Sequence, residues 1–142
     1  MAKLPELERR RRATERTRAK YIGQSFDWRR HRHCIALARY QAVQMGHRPP
    51  KVNHVRGVLS AKKELKRRGV ATVIEALDQE FERIAPAAMR LGDLAAVASQ
   101  SDGMDAVLVN VAPGKLLGWR EDHYALCVMD VPLAQIDAAW RL

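Results

Sequence analysis

The feature that most narrows what this chain can fold into is a change of hydrophobic period near Leu91. Upstream, apolar residues recur at helical spacing; downstream they come in short runs parted by turn residues. Residues 94–98, 106–111, 115–119 and 124–130 read as strands, separated by SQSDGM, the Pro113-Gly114 turn and REDH. Pro113-Gly114 between two apolar runs predicts a hairpin. The last stretch, LAQIDAAWRL, is a final strand or a helical turn, with Trp140 as a core anchor. Helices followed by an antiparallel meander predict an α+β fold with segregated layers.

The helical half is organised around residues 21–46, YIGQSFDWRRHRHCIALARYQAVQMG. From Cys34 an apolar pattern runs through Ile35, Ala36, Leu37, Ala38, Ala42, Val43 and Met45 to a stop at Gly46, which predicts a central helix with Cys34 in its first turn. A helix N-terminus and nearby cations (Arg29, Arg30, His31, Arg32 and His33) favour thiolate at such a position. The plainer reading, a small buried thiol, stays open beside it. Residues 4–20 predict a helix almost without an apolar face, which needs a neighbour or a partner subunit to hold it. Ser60 caps a short basic helix through Arg68, ended by Gly69. Val70, Val73, Ile74, Leu77, Phe81 and Ile84 then predict one amphipathic helix, which Pro86 ends or follows with a new turn. Phe26, Leu37, Val73, Leu77, Phe81, Val107, Val109 and Trp140 are the expected shared core.

At 142 residues the chain can bury a core without staples. No apolar run is long enough for a membrane span, and the charged start carries no secretory h-region. The chain is therefore expected to be made in the bacterial cytoplasm. Its two cysteines, Cys34 and Cys127, make neither a disulfide framework nor a metal quartet, and no motif calls for a cofactor. Residues 1–70 hold 20 Lys and Arg against 5 Asp and Glu; residues 71–142 hold 5 against 11, giving the net charge of +9. So basic a half seeks an acidic partner, or docks on its own acidic half. The Arg9 to Arg12 run reads as a solvated face, and no reader motif accompanies it to indicate DNA.

Gly23-x-x-Phe26-x-Trp28 ahead of Cys34 and its helix, then Leu91-Gly92-Asp93-Leu94 entering the first strand, resembles the NlpC-type cell-wall cysteine peptidases. With Gly118-Trp119 and Trp140 added, the chain is more closely similar to a family of small phage and prophage proteins encoded among tail genes. The resemblance spans about residues 20–142. It implies a papain-like fold for residues 21–142, N-terminal helices on a C-terminal antiparallel sheet, with residues 1–20 as a basic helical extension. It implies Cys34 as the nucleophile, a role that needs a base and an oxyanion donor nearby. In those peptidases a His opens the second strand; here the segment is GMDAVL, residues 103–108, with Asp105 and no imidazole. His33 stands directly before Cys34, where the peptidases usually have Asp. His123 and His54 are the remaining candidate bases.

Three functions follow. The leading one is a structural or assembly protein of a phage tail tip, degenerate as an enzyme, contacting tail-tip or hub proteins through its basic half and working in the virion. The second is an active cysteine peptidase or amidase that cuts peptidoglycan peptides during DNA entry. The third is a basic nucleic-acid-binding adaptor.

Overall fold

The computed structural model describes residues 4–98, 104–120 and 122–142. Among these residues four helices, α1 (Glu6–Tyr21), α2 (Cys34–Gln44), α3 (Val58–Arg67) and α4 (Val73–Glu80), come first. Six strands follow: β1 (Glu82–Ile84), β2 (Leu94–Val97), β3 (Ala106–Ala112), β4 (Lys115–Gly118), β5 (Cys127–Asp130) and β6 (Ile136–Arg141). They form one antiparallel sheet in the order β1-β6-β2-β3-β4-β5. The expected meander holds from β2 to β5, and β6 then returns to pair with both β2 and β1. LAQIDAAWRL is both of the things it was expected to be, a 3-10 turn at Leu133–Gln135 and then β6. The β3–β4 hairpin turns at Pro113 and Gly114, where Gly114 takes φ 73°, the conformation a type II turn asks of its third residue.

The strands alternate as a two-faced sheet must. Leu94 and Ala96 of β2, Val107 and Val109 of β3, Leu117, Ala138 and Trp140 face the helices with Leu37, Val55 and Val73. Ala95, Leu108, Leu116 and Ile136 point the other way and are closed over by Val131 and Met89. Of the eight expected core residues, Leu37, Val73, Val107, Val109 and Trp140 are buried, while Leu77 and Phe81 are half-buried against them. Phe26 is a correction: it is 44% exposed.

Two further expectations are corrected. The single helix expected over 70–84 is split. Thr72 caps α4 by accepting from the Glu75 N–H, and the Glu75 carboxylate accepts from the N–H of Ala71, one residue before the cap. The chain turns extended at Phe81, so that Glu82–Ile84 pair with Ala139, Trp140 and Arg141 of β6. The basic helix α3 begins at Val58 rather than after Ser60, whose hydroxyl bonds back to the Gly57 carbonyl.

For α1, the neighbour rather than a partner subunit supplies the support that was expected. The helix needs no outside surface, because it packs on α2 through Ala13, Thr14, Thr17 and Tyr21. Thr17 donates to Gln41 Oε1 (2.6 Å), and Gln41 Nε2 donates to Thr14 Oγ1 and to the Gly92 carbonyl (both 3.2 Å). Arg10 is 2% exposed, so the Arg9 to Arg12 run is not wholly a solvated face. Its guanidinium donates to Asp93 Oδ1 (2.9 Å), the Leu91 carbonyl (2.9 Å), the Leu142 carbonyl (2.7 Å) and Glu6 Oε1 (2.7 Å). Asp93, fully buried, also accepts from the backbone N–H groups of Arg90 and Leu142. A boundary at residue 20 would thus cut through α1, which shares the core of the remainder.

Deleting one member of a buried, hydrogen-bonded pair strands the other's charge. Arg10→Met is therefore expected to lower unfolding stability by about 3–5 kcal/mol, measured by urea denaturation. A change within about 0.5 kcal/mol, typical of a surface substitution, would refute the role given to the pair.

His33 supplies a second, pH-dependent prediction. It is fully buried, caps α2 by accepting from the Ala36 N–H at Nδ1 (3.2 Å), and stacks on Trp28 at 4.7 Å. Burial, helped by His31, holds its pKa down at about 4. Between pH about 6.5 and about 4 the unfolded chain takes up a proton that the folded one refuses. Stability due to this group is therefore complete above pH about 6.5 and falls as pH drops towards 4, by roughly 3 kcal/mol in all. His33→Asn keeps a capping acceptor without the titration, so urea midpoints of the two proteins should converge as pH falls from 7 to 4. Parallel pH dependence would disprove it.

Candidate functional site

The site is set by α2 and β3, which pack against each other, and by the segment that leads into α2. Residues 27–32 form a small hairpin: Asp27 and Arg32 exchange backbone bonds of 2.8 and 2.9 Å, and Asp27 Oδ1 accepts from the Arg29 N–H (3.0 Å). His31 closes the turn at φ 58°, a left-handed conformation in which His is enriched over most non-glycine residues. The chain then reaches His33, the N-cap, and Cys34, the first residue of α2.

Cys34 lines a cleft of about 860 Å³. The end of β2 and the start of β3 (Val97, Ala98, Met104, Asp105, Ala106) form its floor. Phe26, Trp28, Trp119 and Tyr124 form an aromatic wall, with Phe26 edge-on to Trp28 (5.6 Å) and to Trp119 (6.1 Å). Trp119 is fixed by donating Nε1–H to the Gln24 carbonyl (3.0 Å) and by Tyr21 at 5.5 Å. Gly118 before it lies so close to Leu108 that a Cβ there would stand 2.1 Å from Leu108 Cδ2. Sequence reasoning treated Phe26 as core and did not assign Trp28, Trp119 or Tyr124 to a site. Their signal was present as aromatics clustered around the Cys34 segment and the Gly118-Trp119 hairpin.

The structure brings two of the three candidate residues together. His123 lines the same cleft as Cys34, on an exposed turn whose backbone N–H bonds the Arg120 carbonyl. His54 stands elsewhere, with Nε2 2.6 Å from Glu64 Oε2 ahead of α3. Glu64 is held down at about 2, first by Arg67 and then by Arg68 and His54, so this cluster has its own charge balance away from the cleft.

Asp105 stands one residue before β3, on the cleft floor. Burial raises its carboxyl above the usual range, with a smaller contribution from Asp137. Gly103, part of the same expected segment, lies outside the described residues. The cations expected to activate Cys34 are arranged otherwise. His33 is neutral at ordinary pH, while Arg30 and Arg32 lie 3.6 and 3.7 Å from Asp27. No group of acidic, His and Cys side chains among the described residues could hold a metal ion. No described helix is long and apolar enough to cross a membrane.

This arrangement, a cysteine opening a buried helix against an antiparallel sheet, is the papain-like, NlpC-type fold. Comparison with solved structures supports it. The chain is similar to two variants of the Resuscitation Promoting Factor Interacting protein RipA, one mutated at a histidine and one at a glutamate. Their TM-scores are 0.58 and 0.56 at 17% and 16% identity, over 97% and 99% of this chain. It is also similar to Rv1477, a hypothetical invasion protein of Mycobacterium tuberculosis, with TM-score 0.55 at 16% identity over 99% of the chain. The chain spans 65–66% of the length of those solved chains. No curated protein matches it in sequence. A model for a domain of unknown function, DUF6950, matches residues 5–142, and the chain belongs to that family.

Proposed function

We propose that this protein is a phage tail-tip assembly component that keeps a cysteine-peptidase fold as a binding platform and does not run the peptidase reaction. The observation that carries the reading is Asp105 at the entry to β3, the position at which the resemblance to NlpC-type peptidases expects an imidazole. A carboxylate, even one raised by burial, does not match an imidazole as a base poised near neutral pH. Four of the five histidines are engaged elsewhere. His33 caps α2, His54 pairs with Glu64, His47 packs edge-on against Phe81 and His31 closes a turn. The tail setting, the virion location and contact with tail-tip or hub proteins through the basic half rest on the resemblance of residues 20–142 to small tail-encoded proteins. Peptidoglycan is the other partner that the fold suggests; DNA is disfavoured for want of a reader motif.

One observation favours the active-enzyme reading: His123 lines the same cleft as Cys34. In that reading Cys34 is the nucleophile and His123 its base. The two readings part in one experiment. Purified protein is incubated with muropeptides, and phage carrying Cys34→Ala are scored for assembled, infective tails. The expected outcome is no cleavage and infectivity equal to wild type, with deletion of the whole gene abolishing tails. Muropeptide cleavage that disappears in Cys34→Ala would sink the platform reading and install the hydrolase.

A further inference from the structure

The cleft beside Cys34 does not stop at Met104 and Asp105. These two residues also border a second pocket of about 630 Å³, walled by α3 and by the turn into α4. Val58 lines the first pocket, and Lys62 and Lys66 line the second. At spacings of four they share one face of α3, so the helix flanks a groove that leads from the aromatic wall to a pair of lysines. The combined space exceeds what a compact small molecule needs and suits a chain-like ligand.

Charge decides the kind of chain. Arg67 and Arg68 on the same helix are consumed by Glu64, whereas Lys62 and Lys66 make no ion pair among the described residues. Two ammonium groups one turn apart in a concave wall focus a positive potential. Among the described residues the groove holds three carboxylates of its own, of which Asp122, at the far end, is paired with Arg120 (2.8 Å). Glu75 accepts from the Ala71 N–H just ahead of α4, and Asp105 marks the junction of the two pockets. A ligand acid is therefore favoured on the lysine side of Asp105 and disfavoured beside it.

We propose that this groove binds an acidic peptide in extended form, with a carboxylate between Lys62 and Lys66 and its apolar part against Phe26, Trp28 and Trp119. The inference rests on the platform reading above, since it names what the platform holds. Among peptide, polyphosphate and nucleic acid, the peptide is the one that uses both ends of the groove, apolar and cationic.

The test uses the full chain carrying Cys34→Ala, so that no turnover can consume the probe. Tryptophan fluorescence, with Trp28 and Trp119 in the wall, is titrated with N-acetylated, C-amidated tetraglutamate and with tetraglutamine. Tetraglutamate is expected to saturate and to bind about tenfold tighter than tetraglutamine at low salt. Lys62→Gln and Lys66→Gln should each weaken it by about three- to fivefold. Asp105→Asn should tighten it, and Lys63→Gln, exposed and outside the groove lining, should leave it unchanged. Equal affinity for the two peptides would overturn the proposal, as would a loss in Lys63→Gln matching the other two, the mark of diffuse surface charge. Muropeptide cleavage by the Cys34 protein bears on the platform reading alone, because this titration is blind to it.

Discussion

The fold depends on a fully buried carboxylate, Asp93, and the guanidinium that answers it from α1. Desolvating two charges costs several kcal/mol each, and Coulomb attraction offsets that only when the remaining hydrogen-bonding capacity is also satisfied. Here it is. Arg10 bonds two backbone carbonyls and two carboxylates, while Asp93 takes backbone N–H groups from both sides. The pair therefore ties α1, the entry to β2 and the end of β6 at one point. Gly92 is required beside it: at φ 89° a Cβ would stand 2.9 Å from Gln41 Nε2 and 3.0 Å from Thr14 Oγ1. Gly92 and Asp93 thus do separate work. One admits close approach, and the other holds what has approached.

This junction sets the chemical end of the molecule through α2. Gln41, whose amide bonds Thr14, Thr17 and the Gly92 carbonyl, fixes α2 against α1 two turns below Cys34. At the upper end His33 caps the helix and is pressed flat against Trp28. The thiol is thus carried on an element anchored at both ends, and the cleft in front of it is shaped by aromatic rings, of which Trp119 is held by its bond to the Gln24 carbonyl. An anchored first residue on a rigid helix suits precise positioning, whether of a reacting thiol or of a ligand.

Much of this was legible in the sequence, for identifiable reasons. The start of α2 at Cys34, its end before Gly46, the Pro113-Gly114 hairpin and the change to strands after Leu91 all carry local signals. Where the reading failed, a distant partner decided. Phe81 and Ile84 keep helical phase with Leu77, yet β6 claims Glu82–Ile84 as a strand. Helix α1 looked faceless because hydropathy gives little weight to Ala13, Thr14 and Thr17. Small and hydroxyl side chains let helices approach closely and bond across the gap, which an apolar count does not register. Nothing local separates Arg10 from Arg9 or Arg11; only its position opposite Asp93 does. Phe26 was assigned to the core as lying in the apolar phase of its element, but beside a cleft the same side chain becomes a wall.

The correction to α1 also moves the electrostatic argument along the chain. Glu6, Glu8 and Glu15 pair with Arg9, Arg10, Arg11 and Arg12, so the run that looked most inviting to an acidic partner is largely answered within its own helix. Exposed pairs of this kind contribute little to stability, but they remove most of the local excess charge. The unanswered cations of the basic half lie further on, and Lys62 and Lys66 among them are exposed at the edge of a concavity. A point charge on a flat, solvated surface is screened within a Debye length, whereas the same charge against low-dielectric walls acts more strongly on whatever enters. The basic character of the first half thus divides between two elements: in α1 Arg10 is committed to the buried junction with Asp93, and in α3 Lys62 and Lys66 line a pocket.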